Sequence, residues 1–341
     1  MLDSQNFVNL YKMNLKYGVL GGGSWGTAIV KMLCENNDSI NWYVRSDEDV
    51  SFLKEKGKNP KYLRSVNLQN KKLNISSSIT KISEESDLII IAIPSPFVDT
   101  ELKKIKHLLS EKIIFSALKG VVPTSHLIVS EHLNKFYEIP FSNIGILTGP
   151  CHAEEVALEK LSYLTIACQN QEIGLKLKSD LSSNYIYVKY SKDTMGVEYA
   201  AMLKNVYAIV AGICHGLGYG DNYQSVLISS CVREMKKFVQ KIYNTKRDIN
   251  DSEYLGDLLV TCYSSFSRNR TLGNMLGKGY TLKSAISEMS MIAEGYYATK
   301  NAYELIEKNI SEFKIISSAF EILYNNKNPK KIIKELSVNL D

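Results

Sequence analysis

Two hydrophobic rhythms divide the chain. Up to about residue 190, short apolar runs of strand length alternate with helical segments. Beyond residue 193 the strand-like runs vanish and helical periodicity continues to the end. The runs predict strands over residues 16–20, 40–44, 88–93, 112–117, 144–148, 163–168 and 185–188, and helices over 27–36 and 98–109. The polar stretch 51–70 reads as helix and loop. Leu88-Ile89-Ile90-Ile91-Ala92-Ile93 is continuous and mostly β-branched, the mark of a strand buried on both faces of a parallel sheet. The pattern predicts an α/β protein: a doubly wound parallel sheet over residues 15–192, a helical domain over 193–341, and a polar extension over 1–14.

The chemistry begins at the end of the first predicted strand. Gly21-Gly22-Gly23-Ser24-Trp25-Gly26 places a Gly-x-Gly-x-x-Gly between a strand and a helix. Gly21 allows the tight turn, Gly23 lets a pyrophosphate approach the backbone, and Gly26 lets the helix pack on the strand, with the free helix amides facing the phosphates. Residues 15–192 therefore read as a dinucleotide-binding domain. The second strand ends at Arg45, where an NAD-specific site would usually carry an acid. A cation there suits a 2′-phosphate, so NADPH is the expected cofactor, with NADH kept open by Asp47. Pro94-Ser95-Pro96, Lys119 and Gly149-Pro150 also follow strands, at the edge where doubly wound sheets hold ligands.

The helical half contains Lys204 within Val197–Ala211, a stretch otherwise almost wholly small or apolar. A lysine in such a helix snorkels, pairs with an acid, or works with a lowered pKa. Residues Ser264 to Asn269 lack amphipathic regularity and read as a loop rich in hydroxyl, guanidinium and amide donors, which suits a phosphate or a merely solvated turn.

Bulk properties narrow the classes. The 341 residues are 45% hydrophobic and 23% charged, enough for two ordinary cores. A net charge of +5 is too diffuse to argue for nucleic acid. Six cysteines form no CxxC pair or metal-type cluster, and they read as buried, reduced thiols of a cytoplasmic protein. The runs are too short for stable membrane insertion, and residues 1–14 lack a signal-peptide core.

Taken together, the motifs resemble the bacterial, soluble type of NAD(P)-dependent glycerol-3-phosphate dehydrogenase. The resemblance is carried by Gly23-Ser24-Trp25-Gly26-Thr27-Ala28, Leu147-Thr148-Gly149-Pro150 with Ala153 and Glu155-Val156, and Leu203-Lys204-Asn205. It continues through Gly256-Asp257-Leu258, Thr261-Cys262, Ser267-Arg268-Asn269 and Ala293-Glu294-Gly295. It implies a Rossmann-type domain, an all-helical second domain and a homodimer. It also implies reduction of dihydroxyacetone phosphate to sn-glycerol 3-phosphate, feeding glycerophospholipid synthesis. By the same resemblance Lys204 is the catalytic acid/base and Asp257 its partner. Arg268, Asn269 and Ser267 contact the substrate phosphate, Lys119 touches substrate and cofactor, and Gly149 lies against substrate. Ser24, Trp25, Arg45, Ala153, Arg268, Ile292 and Glu294 fall on cofactor positions beside the glycine turn. Cys151-His152 departs from the family pattern, and His152 reads as a hydrogen-bond donor to substrate. Two other readings remain: a 2-hydroxyacid or ketopantoate-type reductase, which needs no phosphate loop, and a non-catalytic NADPH sensor, which needs no Lys204–Asp257 pair.

Overall fold

The computed structural model describes residues 14–69, 72–289 and 293–340. Residues 1–13 of the expected extension and the expected cofactor position Ile292 lie outside the described residues. The chain divides into two compact units: residues 14–118 with Val129–Thr194, and Lys119–Ile128 with residues 195–340.

In chain order the strands are β1 (Tyr17–Leu20), β2 (Ile40–Tyr43), β3 (Leu73–Ser76), β4 (Leu88–Ile91), β5 (Ile113–Ser116), β6 (Val121–Val122), β7 (Leu127–Ile128), β8 (Ile144–Thr148), β9 (Ser162–Cys168) and β10 (Ile186–Ser191). All but β6 and β7 join one eight-stranded sheet in the order β10-β9-β8-β5-β4-β1-β2-β3. The stretch from β3 to β8 is the doubly wound order, reversing direction between β1 and β4, where ligands bind at the strands' carboxyl ends. Helices α1 (Ser24–Leu33), α2 (Asp47–Lys56), α3 (Ile79–Glu84), α4 (Ser95–Lys103), α5 (Lys106–Leu109), α6 (Val129–Tyr137), α7 (Ala153–Ala157) and α8 (Gln171–Leu181) complete the unit. β4 is fully buried along its length, as its unbroken apolar run requires.

Three features depart from the expected domain. The sheet is mixed rather than parallel, because β9 runs antiparallel to β8 and β10 follows β9. An apolar run reads the same in either direction, so the pattern carries no sign of the reversal. The edge strand β3 was not expected; its Leu-Asn-Ile-Ser is half-exposed and too polar to stand out. The expected helix over 98–109 is two helices, with the first beginning at Ser95.

The second unit is built around α9 (Thr194–Gly216), with α10 (Asp221–Ile242), α11 (Asp257–Tyr263), α12 (Arg268–Gly277), α13 (Leu282–Glu288), α14 (Glu294–Ile306), α15 (Lys314–Leu323) and α16 (Pro329–Ser337). By length and hydropathy α9 could cross a bilayer, but its apolar window is wholly buried inside the protein. Two glycine pairs bring α9 and α12 into backbone contact. A Cβ at Gly212 or Gly216 would strike the carbonyl of Arg270 or Asn274, and one at Gly273 or Gly277 would strike the carbonyl of Ile209 or Ile213. This seam fixes where α12 begins relative to the turn of α9 that carries Lys204. The described residues from 195 onward form helices and no strand, as expected, and the unit also takes in Lys119–Ile128 with the antiparallel hairpin β6–β7. A single boundary near residue 193 misses that excursion, because two-residue strands leave no periodic signal.

Candidate active site

In the first unit the glycine turn is shaped by tying off its carbonyls. The indole Nε1 of Trp42 donates to the Gly21 carbonyl at 2.9 Å, and Asn59 Nδ2 donates to the Gly22 carbonyl at 3.0 Å. The Gly23 carbonyl accepts from the Thr27 backbone N–H and hydroxyl. With its acceptors turned inward, the loop can present its amides outward. Gly21 has φ +134°, a conformation costly for any residue with a Cβ, and a Cβ at Gly26 would overlap the Gly21 carbonyl. A Cβ at Gly23 would meet nothing within 4 Å. Helix α1 starts there with no side-chain cap, and the positive end of its dipole favours an anion at the turn. These residues fit a dinucleotide pyrophosphate. Gly23→Ala is therefore expected to leave the fold and thermal midpoint unchanged while weakening NAD(P)H binding about tenfold or more, read by titration of nicotinamide fluorescence. Gly26→Ala should instead cost stability.

The same carboxyl edge holds the other positions expected in this unit. Arg45 is exposed at the end of β2. Asp47 opens α2 and accepts from the Ser77 hydroxyl. Gly149 follows β8 with φ +118°, and a Cβ there would press on the Tyr163 carbonyl at 2.8 Å. His152 is the residue capping α7 and Ala153 is its first helical residue. Trp25 is half-buried against the sheet core.

In the second unit Lys204, Asp257 and Lys119 converge. Lys204 is 3% and Asp257 1% exposed, and the ammonium forms an ion pair with Asp257 Oδ1. Lys119 Nζ lies 3.5 Å from Asp257 Oδ2 and is less buried. A five-residue π-helical turn, Ser252–Gly256, runs directly into α11 and delivers Asp257 as its first residue. Burial lowers the pKa of Lys204 from the usual lysine value to about 7, with the Asp257 carboxylate opposing the fall and the Lys119 ammonium adding to it. Burial thus makes this ammonium a readier proton donor than an exposed lysine.

Of the segment expected as a loop, residues 264–267 are one, and Arg268 and Asn269 open a helix. Ser267 caps α12, its hydroxyl accepting from the Arg270 N–H at 3.3 Å, so Arg268 and Asn269 are the first two helical residues. Asn269 is tied into the frame: its Nδ2 donates to Asn205 Oδ1 at 2.9 Å and its Oδ1 accepts from the Gly295 N–H at 2.8 Å. Asn205 in turn donates to the Lys119 carbonyl. Glu294 is the first residue of α14, next to Gly295. Lys119, Lys204, Asp257, Ser267, Arg268, Asn269 and Glu294 thus belong to one unit, and the glycine turn, Arg45, Gly149, His152 and Ala153 to the other. Sequence reasoning missed Asn205, which sits beside Lys204 in a quoted motif. It also missed Trp42 and Asn59, whose partners are distant in sequence.

An open glycine turn on a doubly wound sheet, with a separate helical unit holding a buried lysine–aspartate pair, defines the class of two-domain nicotinamide-dependent dehydrogenases. Comparison with known proteins narrows the class. The family model for the NAD-dependent glycerol-3-phosphate dehydrogenase N-terminus matches residues 16–174, and that for the C-terminus matches residues 193–334. The chain is 33% identical over 322 residues to a protein of Oceanobacillus iheyensis named glycerol-3-phosphate dehydrogenase (NAD(P)+), covering 94% of this chain and 93% of that one. It is likewise 33% identical over 324 residues to its namesake from Syntrophotalea carbinolica, covering 94% and 97%. The crystal structure of glycerol-3-phosphate dehydrogenase from Coxiella burnetii superposes with a TM-score of 0.86 at 26% identity, over 94% of this chain and 98% of that one. This protein belongs to the NAD(P)-dependent glycerol-3-phosphate dehydrogenase family. A ketopantoate reductase from Ralstonia eutropha, with a TM-score of 0.62 at 12% identity over 94% of this chain and all of that one, shares the fold alone.

Proposed function

We propose that the protein catalyses the reversible reduction of dihydroxyacetone phosphate to sn-glycerol 3-phosphate, with Lys204 as acid/base. Family membership supports the reaction. The observation that carries the residue roles is the buried Lys204–Asp257 pair with Lys119 beside it. When bound, reduced nicotinamide supplies the hydride to C2 of the ketone. Charge then grows on the C2 oxygen, and the Lys204 ammonium stabilises it and delivers the proton. Asp257 orients that ammonium. Lys119 contributes a second positive charge facing the substrate. The opening of α12, with Arg268 and the first helical amides, anchors the phosphate away from the reacting carbon. His152 and Gly149 complete the substrate contacts in this reading. Ser24, Trp25, Ala153, Arg268 and Glu294 complete those to the cofactor.

NADPH is the preferred donor in this proposal. Arg45 stands exposed at the end of β2, while Asp47, the acid that would read a ribose hydroxyl, is engaged with Ser77. Supply to glycerophospholipid synthesis, a cytoplasmic location and a homodimer belong to the same proposal and are supported by family membership.

The test is an assay at 340 nm with each cofactor, run in both directions across pH. Reduction needs the ammonium form of Lys204, so its rate should fall as pH rises through about 7. Oxidation of glycerol 3-phosphate needs the amine, so its rate should rise through the same value. Opposite signs in the two directions separate Lys204 from ionisation of the substrate phosphate, which would act with one sign. Equal slopes in both directions would remove Lys204 from proton transfer.

A further inference from the structure

The segment Lys119–Ile128 is gripped by the helical unit near both ends. At its first residue, Asn205 of α9 holds the Lys119 carbonyl. Along its middle, β6 packs on α14. At the β6–β7 turn, Asn301 of α14 donates its side-chain amide to the His126 carbonyl. Asn301 is 3% exposed. His126 adopts φ +55°, a left-handed conformation that costs a residue with a Cβ about 1 kcal/mol. Its ring Nδ1 lies 2.8 Å from Glu304, also on α14, at the exposed surface. A strained turn persists only where its surroundings over-determine it, and here a buried amide captures the carbonyl that the strain turns toward α14.

We propose that Asn301 is a positioning residue for the reaction: by gripping the β6–β7 turn through the His126 carbonyl, it sets where the Lys119 ammonium stands over Asp257 and hence the charge around Lys204. The proposal rests on the reading of Lys204 as proton donor. Among the described residues, the titratable groups facing Lys204 are Asp257 and Cys262, both on α11, and Lys119 from the gripped segment. Of these, Lys119 alone lies on the gripped segment, and its charge disfavours the Lys204 ammonium. Releasing the turn lets that charge drift from the pair.

The experiment is the pH dependence of kcat for reduction by the full chain. Asn301→Ala should move the alkaline limb upward by about half a pH unit or more. His126→Gly removes the exposed ion pair but favours the same backbone conformation and leaves the carbonyl for Asn301, so its limb should stay in place. Lys119→Gln should move the limb upward as well. The double variant Asn301→Ala/Lys119→Gln should move it no further than Lys119→Gln alone. If Asn301→Ala fails to fold, Asn301→Ser serves with the same expectation. A folded Asn301 variant that loses thermal stability with an unmoved limb would reduce the residue to a structural role and overturn the proposal. Additive shifts in the double variant would overturn the route through Lys119. A wild-type enzyme with no limb faults the Lys204 reading itself, and this inference falls with it.

Discussion

Lys204→Met is expected to lower kcat for dihydroxyacetone phosphate reduction by about a thousandfold or more, with NAD(P)H affinity nearly unchanged. Removing a positioned general acid costs roughly 10² to 10⁴ in rate, and this ammonium also stabilises the oxygen on which charge develops. Cofactor affinity is spared because the glycine turn is held by Trp42, Asn59 and Thr27, all within its own unit. The variant also perturbs the fold in a readable way. Asp257 is 1% exposed, and without Lys204 its Oδ1 loses the ammonium paired with it, while Lys119 stays 3.5 Å from Oδ2. Breaking a buried pair by removing one partner typically costs about 3–5 kcal/mol, and the remaining lysine makes the lower figure the expected one. Lys204→Met/Asp257→Asn should therefore recover stability in urea titration without recovering turnover. Single-variant turnover within about tenfold of wild type would end the acid/base assignment.

How much of this was legible in the chain follows from where each signal resides. β1, β2, β4, β5 and β8 are buried on both faces and declare themselves as apolar runs. β3, at the edge and half-polar, does not, and the reversal at β9 leaves no trace because side-chain alternation is blind to strand direction. The opening of α12 read as a loop for a related reason. Its inward positions begin with Asn269, which is satisfied by Asn205 and Gly295, so no apolar stripe appears until Leu272. The glycine spacing of 212/216 and 273/277 was visible in the sequence, but what it packs against is a tertiary fact. Lys204 stood out as a cation in an apolar helix. Its partnership with Asp257, 53 residues away, came through motif resemblance rather than periodicity, and Lys119's membership of the helical unit could not be read from a segment bracketed by strand and helix of the sheet.

Arg268→Ala carries the second large expectation: KM for dihydroxyacetone phosphate should rise about 10- to 100-fold with kcat falling far less. A guanidinium–phosphate contact is worth roughly 1.5–3 kcal/mol, and the anchor lies away from the reacting carbon. The opening of α12 explains why the loss should not be total. Ser267 takes the Arg270 amide, and the Ser267 carbonyl takes the Thr271 amide. The positive end of the α12 dipole keeps its attraction for an anion whatever side chain stands at residue 268. The decisive comparison uses dihydroxyacetone, which lacks the phosphate. Against that poor substrate, with the cofactor saturating so that a lost Arg268 contact to it does not register, Arg268→Ala should change kcat/KM by less than about threefold, because the phosphate interaction removed is one it never makes. A KM for the phosphorylated substrate that stays at the wild-type value would take Arg268 out of phosphate binding. An equal loss toward both substrates at saturating cofactor would assign the guanidinium to the chemistry rather than to the phosphate.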